Sequence, residues 1–489
     1  MKHFTTIRSL LQALAMAMNL INPDVENHHQ RTAYLAYHIG AEMGLETEDL
    51  HKVIVAALLH DVGSVIGKQK SVAEIEENRR EIAVVGARMI CDLKPFEDIS
   101  YIIEGCQNSY RENEKYLEER GYDAHPAVEI AEAIHMADFI SAGWQEDGTI
   151  LNQAAKIGKL AEQIRGCEFS DRAVDAFLRV SKREFIWMDF ALNPSFLTYF
   201  TGEMHEVSLE ETVELTRLMS RIIDFRSPFT AMHSAGVSAS AKELAQLYGL
   251  SDEDCLKMEI AGNLHDVGKL RVPNRILEKP GKLTDEEFNI IKEHPYYTRL
   301  ILKDVEGFED IANWAGYHHE KLTGNGYPFH LDARWLDAGS RIMAVADIFT
   351  AITEERPYRK PMEKEQALKV LKENVARGDI DDEIVVLLDK NYERVNEARI
   401  KKSKEEGKRY FDAGKTDTDG IMTKEQGGKD NARIQAGLSE QGFQFISGKG
   451  HRESGEDHKR DGRSGMDLAA DNGACTSSSF FASISRSSS

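Results

Sequence analysis

Two stretches of this chain spell nearly the same apolar run closed by a His-Asp pair: "LLHDVGSVIGK" at Leu58 to Lys68 and "NLHDVGKLRVP" at Asn263 to Pro273. The likeness extends far beyond them. Aligned without a gap, His28 falls on His233, Gly44 on Gly249, His60 on His265 and Asp61 on Asp266, with 32 positions from the first histidine to the second in both copies. Further on, "AIHMADFISA" echoes "RIMAVADIFTA", which sets Asp138 on Asp347. A repeat of this length is a duplicated domain and not a solenoid unit. It therefore requires a fold that one sequence can build twice.

The segments "TAYLAYHIGAEMGL" and "VSASAKELAQLYGL" carry apolar residues at three-and-four spacing and end in Gly-Leu, the pattern of amphipathic helices with a glycine C-cap. With 41% hydrophobic and 8% aromatic residues in 489, the chain has material for ordinary cores in a helix-favouring mix. These features predict an all-α protein of tandem domains: 1–145, a helical connector over 146–207, and 208–405. Beyond 412 the chain turns to Gly, Ser, Asp and Lys, a composition expected to stay disordered through 489. Within that tail "DTDGIMTKEQ" is similar to a calcium loop, but Lys415 and Gln426 occupy the positions of its first and last carboxylates.

A net charge of −21 argues against a nucleic-acid polymer as partner, since polyanions are held by basic surfaces. A small phosphate ligand in a locally cationic pocket remains compatible. Five scattered cysteines without a C-x-x-C pair support neither a disulfide framework nor a zinc ribbon, and a reducing cytoplasm is the expected location. "LLQALAMAMNLI", Leu10 to Ile21, is too short for a membrane span and reads as a buried helix.

The second copy gathers His233, His265, Asp266, His294, His318, His319 and Asp347. A single histidine on an apolar face is more often a satisfied core residue than a ligand. An adjacent pair, His318-His319, together with the His-Asp motif is another matter, because so many buried rings without a shared partner would cost about 1–3 kcal/mol each. The set is too large for one tetrahedral zinc, but it can fill two octahedral sites if a carboxylate such as Asp266 bridges them.

From Arg226 to Arg359 the residues "HDVGKLRVPNRILEKPGKLTDEEF", His294-Pro295, "HHEKLTGNGYP", "RIMAVADIFTAIT" and "RPYR" resemble the HD-GYP branch of the HD-domain metal-dependent phosphohydrolases. The resemblance implies a helical domain that hydrolyses cyclic di-GMP with two divalent metal ions, usually iron or manganese. It implies one metal on His233, His265, Asp266 and Asp347, and the other on Asp266, His294, His318 and His319. Two such cations acidify a shared water and stabilise charge on the phosphoryl group. Asp266 and Lys269 are the candidate catalytic residues, with Lys269 meeting the scissile phosphate. Tyr327, Arg356 and Arg359 are the remaining candidates for substrate binding. Two positions depart from the family's pattern: Thr323 stands where an Asp usually precedes the loop glycine, and Phe229 stands where some members place a Glu for a third metal.

The first copy keeps His28, His60, Asp61 and Asp138, a vestigial single-metal set. Ile82 falls opposite His294, Ser64 opposite Lys269, and "GCQNSYREN" has no paired histidines. His29 and His125 are nearby substitutes for the missing ligands, but read as helix-surface and turn residues. A mononuclear hydrolase, a sensor and a structural packing partner are the three readings of this copy. For the whole chain, the alternatives to cyclic di-GMP hydrolysis are hydrolysis of another cyclic dinucleotide such as cyclic GMP-AMP, and a silent receptor. The receptor reading adds signalling-protein partners at the GYP loop, and a homodimer is an open assembly.

Overall fold

A computed structural model describes residues 4–21, 27–65, 78–93, 96–119, 124–144, 149–192 without 164 and 167, 206–224, 230–355 without 278 and 280, and 360–413. The expected tail beyond 413 and the calcium-like loop lie outside these residues, as do Phe229, Arg356 and Arg359.

The described residues are built almost wholly of helices. The first copy holds α1 (Ile7–Ile21), α2 (His28–Met43), α3 (Thr47–Leu59), α4 (Arg79–Ile90), α5 (Glu97–Gly105), α6 (Tyr110–Glu119) and α7 (Ala124–Ala142). Then come α8 (Ile150–Gln163), α9 (Asp171–Ser181) and α10 (Glu184–Leu192). The second copy follows with α11 (Leu209–Asp224), α12 (Thr230–Tyr248), α13 (Asp252–Leu264), α14 (Asn274–Leu277), α15 (Asp285–Lys292), α16 (His294–Leu302) and α17 (Glu309–Gly316). It ends with α18 (Ala338–Thr353), α19 (Lys364–Ala376), α20 (Asp382–Lys390) and α21 (Tyr392–Ala413). Gly44 and Gly249 end α2 and α12 at φ of 89° and 94°, the left-handed conformation that glycine adopts without steric cost.

Each copy wraps its neighbours around one central helix. In the first, α2 packs against α3 and α7; in the second, α12 packs against α13, α18 and α21. Helices α9 and α10, within the expected connector, turn back onto α2. There Arg31 donates to the Phe190 carbonyl, and Glu42 takes the guanidinium groups of Arg179 and Arg183.

The leading segment does the reverse and crosses to the second copy. Thr5–Thr6 pairs antiparallel with Glu206–Val207, and Phe4 lies 6.0 Å from Phe308. Helix α1 buries Leu10, Leu11, Leu14 and Met18 and packs against the 3-10 turn Val267–Arg271 as well as against α2 and α3. A second link joins α11 to α4 and α21: the buried guanidinium of Arg221 donates to the Met89 carbonyl at 2.9 Å, to Asp92 at 3.0 Å and to Glu406 at 3.2 Å.

Candidate metal centre

His233 projects from α12, His265 and Asp266 close α13, His294 opens α16, His318 and His319 follow α17, and Asp347 lies on α18. Local chemistry fixes these ends. Ser251 caps α13 through the Asp254 N–H, Asp337 caps α18 through the Ser340 N–H, and Thr284 and Glu287 form a capping box on α15. Gly268 explains why the motif continues Val-Gly: a Cβ there would lie 2.0 Å from the His294 carbonyl oxygen and 2.7 Å from the Thr298 nitrogen. The bare backbone lets the turn seat directly on α16. Thr298 Oγ1 locks the seat, accepting from Gly268 N–H at 3.0 Å and donating to the His265 carbonyl at 2.8 Å. Gly63 meets the Ile82 carbonyl and the Gly86 nitrogen in the same way. Ile82 thus occupies in the first copy the place that His294 holds in the second.

The histidines share one device. Nδ1 of His265, His294 and His318 lies 2.8, 2.6 and 2.7 Å from the carbonyl three residues back, on Gly262, Ile291 and Ala315. A carbonyl only accepts, so Nδ1 carries the proton and Nε2 presents a lone pair to the centre. Burial, reinforced by neighbouring cationic groups, pushes His294 well below the usual imidazole range; burial and His265 lower His318 to about 4. Neither ring therefore has a proton to share, yet their Nε2 atoms face each other at 3.2 Å. Nε2 of His265 and Oδ1 of Asp266 are buried without a hydrogen-bond partner. Acceptors converging on acceptors need a cation between them, and this donor set fits one.

The carboxylate of Asp266 divides the centre. Its Oδ2 lies 3.3 Å from His265 Nε2 and 4.0 Å from His233 Nε2, while Oδ1 lies 3.4 Å from His294 Nε2 and 3.9 Å from His318 Nε2. Donor atoms of His233, His265 and Asp347 form one compact group, those of His294, His318 and His319 another, and His265, Asp266 and His318 link the two. Lys269 Nζ stands 2.6 Å from Asp266 Oδ2. Tyr327 lies over His319 with 4.9 Å between ring centres, its N–H donating to the His319 carbonyl.

Several contributors escaped the sequence reading. Glu354, two helical turns past Asp347, accepts from His233 Nδ1 at 2.9 Å and turns Nε2 toward Asp347 at 3.2 Å. Burial lowers the His233 pKa, but Glu354 and Asp347 outweigh it and hold the ring at about 10, so a cation taken by Nε2 displaces a proton. Glu320, buried beside the paired histidines, fixes the GYP loop by accepting from the N–H groups of Phe329 at 2.7 Å and Leu331 at 2.9 Å. Thr323, the departure noted in that loop, forms a backbone bridge to Asp332 with its residue exposed.

In the first copy, His28, His60, Asp61 and Asp138 also come together. His28 Nε2 is 3.3 Å from His60 Nε2 and 3.1 Å from Asp138 Oδ1, and His60 Nε2 is 3.2 Å from Asp138 and 3.3 Å from Asp61. His29 corrects the expectation of a surface residue. Helix α2 is covered on more than one side, so a residue one step round from His28 is still buried, and its ring sits 5.4 Å from His60. Burial, with His28 and His60 beside it, pushes His29 down to about 3. The side chain of His125 lies outside the described residues. Gln107, two positions past the end of α5 as His318 is past the end of α17, donates to Asp138 Oδ2 at 2.8 Å. Burial disfavours the His60 cation, but Asp61 and Asp138 outweigh it and raise its pKa well above the usual value. This cluster can settle as an imidazolium between carboxylates; the facing rings of His294 and His318 have no such resolution.

Two family models, each described as an HD domain, match this chain, one over residues 217–384 and the other over 25–143. The 3'3'-cGAMP-specific phosphodiesterase 1 of Vibrio cholerae serotype O1 is 27% identical over 416 residues, covering 81% of this chain and 94% of the relative. The 3'3'-cGAMP-specific phosphodiesterase 3 of the same organism is 28% identical, covering 78% of this chain and 94% of the relative. The cyclic di-GMP phosphodiesterase response regulator RpfG of Xanthomonas campestris pv. campestris is 38% identical, covering 35% of this chain and 45% of the relative. Among solved structures, the V. cholerae cyclic GMP-AMP phosphodiesterase V-cGAP3 superposes with a TM-score of 0.54 at 22% identity, over 79% of this chain and 97% of that one. Among the described residues, no helix is long and apolar enough to cross a membrane.

Proposed function

We propose, on the premise that the chain belongs to the HD-GYP family of HD-domain metal-dependent phosphohydrolases, that its second copy hydrolyses a phosphodiester bond of a cyclic dinucleotide, 3'3'-cyclic GMP-AMP in first place. The observation that carries the hydrolytic reading is the carboxylate of Asp266, whose two oxygens face two separate groups of donors. The choice of substrate rests on extent: two cyclic GMP-AMP enzymes match along both copies, whereas the cyclic di-GMP enzyme RpfG, like a third cyclic GMP-AMP enzyme, matches over about a third of the chain.

In this reading His233, His265, Asp266 and Asp347 hold one divalent cation, and Asp266, His294, His318 and His319 hold the other. The nitrogen and oxygen donors suit iron or manganese. The bound pair supplies Lewis-acid chemistry, lowering the pKa of water and offsetting charge on the phosphoryl oxygens. The remaining work belongs to side chains. The carbonyls of Gly262, Ile291 and Ala315 keep the Nδ1 protons away from the centre, and Glu354 orients His233. Lys269, 22% exposed at the mouth, offers its ammonium to a non-bridging phosphate oxygen. Tyr327 gives a base a flat surface beside His319.

The test uses the full chain with its metals, assaying 3'3'-cyclic GMP-AMP and cyclic di-GMP side by side with elemental analysis. Two cations per chain and a kcat/KM at least roughly tenfold higher for the mixed dinucleotide are expected, the scale of discrimination that a few polar base contacts achieve. Equal or reversed preference returns the assignment to cyclic di-GMP. Metal-loaded protein that turns over neither is a receptor.

For the first copy, the His60 imidazole held between Asp61 and Asp138 and the amide of Gln107 on Asp138 support a regulatory or packing role, while His28, His29 and His60 stand close enough to share one cation. The double variant His60→Ala, Asp61→Ala is expected to keep part or all of the turnover and both cations of the second copy. A folded, metal-loaded double variant with no hydrolysis would place chemistry in the first copy.

A further inference from the structure

Helix α15 stands beside the metal centre, and none of its residues is fully buried. It is nonetheless firmly held: the capping box closes its first turn, and Glu287 takes both the Thr284 N–H at 2.8 Å and Lys279 Nζ at 2.5 Å. Phe288, the aromatic that ends "LTDEEF", is 41% exposed. A lone exposed phenylalanine requires no explanation. This one continues a row that starts at the proposed ligands: Tyr327 lies 4.9 Å from His319 by ring centres, and Phe288 lies 6.1 Å beyond Tyr327, edge to face at 80°. One turn further on α15, the ammonium of Lys292 sits 4.8 Å from the centre of the Phe288 ring.

We propose that Phe288 and Lys292 form a purine subsite on α15, taking one nucleobase of the cyclic dinucleotide while its phosphate sits at the metal centre. The inference rests on the phosphodiesterase reading and deepens it. A cyclic dinucleotide carries two bases on one small ring, so a site that engages one phosphate must accommodate a base to the side. The Phe288 ring offers the stacking face, and the rim of the base lies within reach of an ammonium that donates to purine acceptors such as guanine O6 or N7. The ring is exposed before binding and meets Tyr327 edge to face, and Lys292, which lies over it, moves to the rim of the base as the base stacks.

The experiment compares the metal-loaded full chain with its Phe288→Ala, Phe288→Tyr and Lys292→Met variants, using 3'3'-cyclic GMP-AMP and cyclic di-GMP. Phe288→Ala is expected to raise KM about tenfold with kcat within roughly twofold, in line with the loss of one base-aromatic stack. Phe288→Tyr restores the parent KM, and Lys292→Met raises KM without changing kcat. Since no residue of α15 is fully buried, metal content and thermal midpoint stay near the parent values and separate this effect from unfolding. A parent-like KM in Phe288→Ala overturns the subsite while leaving the hydrolase intact. So does a fall in kcat at constant KM, which would make Phe288 a positioning residue for Tyr327. A parent that turns over neither dinucleotide overturns the activity and the subsite together.

Discussion

Asp266→Ala is expected to lose both cations and to lower turnover by more than the roughly 10²–10³ that removal of one electrostatic stabiliser costs. The carboxylate belongs to both groups of donors at once, with Oδ2 toward His265 and Oδ1 toward His294. Without it, each group keeps three donors and nothing ties them together. The side chain is 2% exposed, so alanine also leaves a polar void in which the imidazoles rearrange or take up protons. Elemental analysis after gel filtration, alongside hydrolysis of the preferred dinucleotide, reads both effects on one sample. Retention of two cations with parent activity would remove Asp266 from the centre of the assignment.

Lys269→Ala separates phosphate handling from metal assembly three residues further along. The ammonium donates to Asp266 Oδ2 at 2.6 Å, whereas His265, His294 and His318 are held through Nδ1 by the carbonyls three residues back. Metal content is therefore expected to stay near two per chain while kcat falls by roughly 10²–10³, because a preorganised positive charge acts most strongly as charge builds on the phosphoryl oxygens. The first copy carries Ser64 at this place. Parent-rate hydrolysis by the lysine variant would end the phosphate role. Loss of metal together with activity would instead assign Lys269 to holding the Asp266 carboxylate in place.

Much of this centre could be read from the chain because its parts are local. The His-Asp pair, the paired histidines and Gly44 or Gly249 each announce themselves within a few residues, and the duplication gives every position of one copy a control in the other. Ile82 opposite His294 followed from alignment alone, and the twin glycines Gly63 and Gly268 supply its physical basis. What stayed hidden depends on which element packs where. Periodicity puts His29 one step off the ligand face, but only the packing around α2 determines that the next face is buried as well. Gln107 and Glu354 are ordinary polar residues by composition. Their meaning comes from contacts with Asp138 and His233, across 31 and 121 positions of sequence. Nor does any pattern in "LLQALAMAMNLI" say that its helix leaves its own copy to cover the turn that carries Lys269.

The pairing of Thr5–Thr6 with Glu206–Val207 brings the entrance and exit of the first copy side by side. That doorway adjoins Phe308 and the turn Val267–Arg271 of the second copy. The first copy is held there and again at its far side, where Arg221 pairs with Asp92. Cutting the chain after 207 is a harsher change than its place between the copies suggests, because it strips away the helix against which the Lys269 turn is packed.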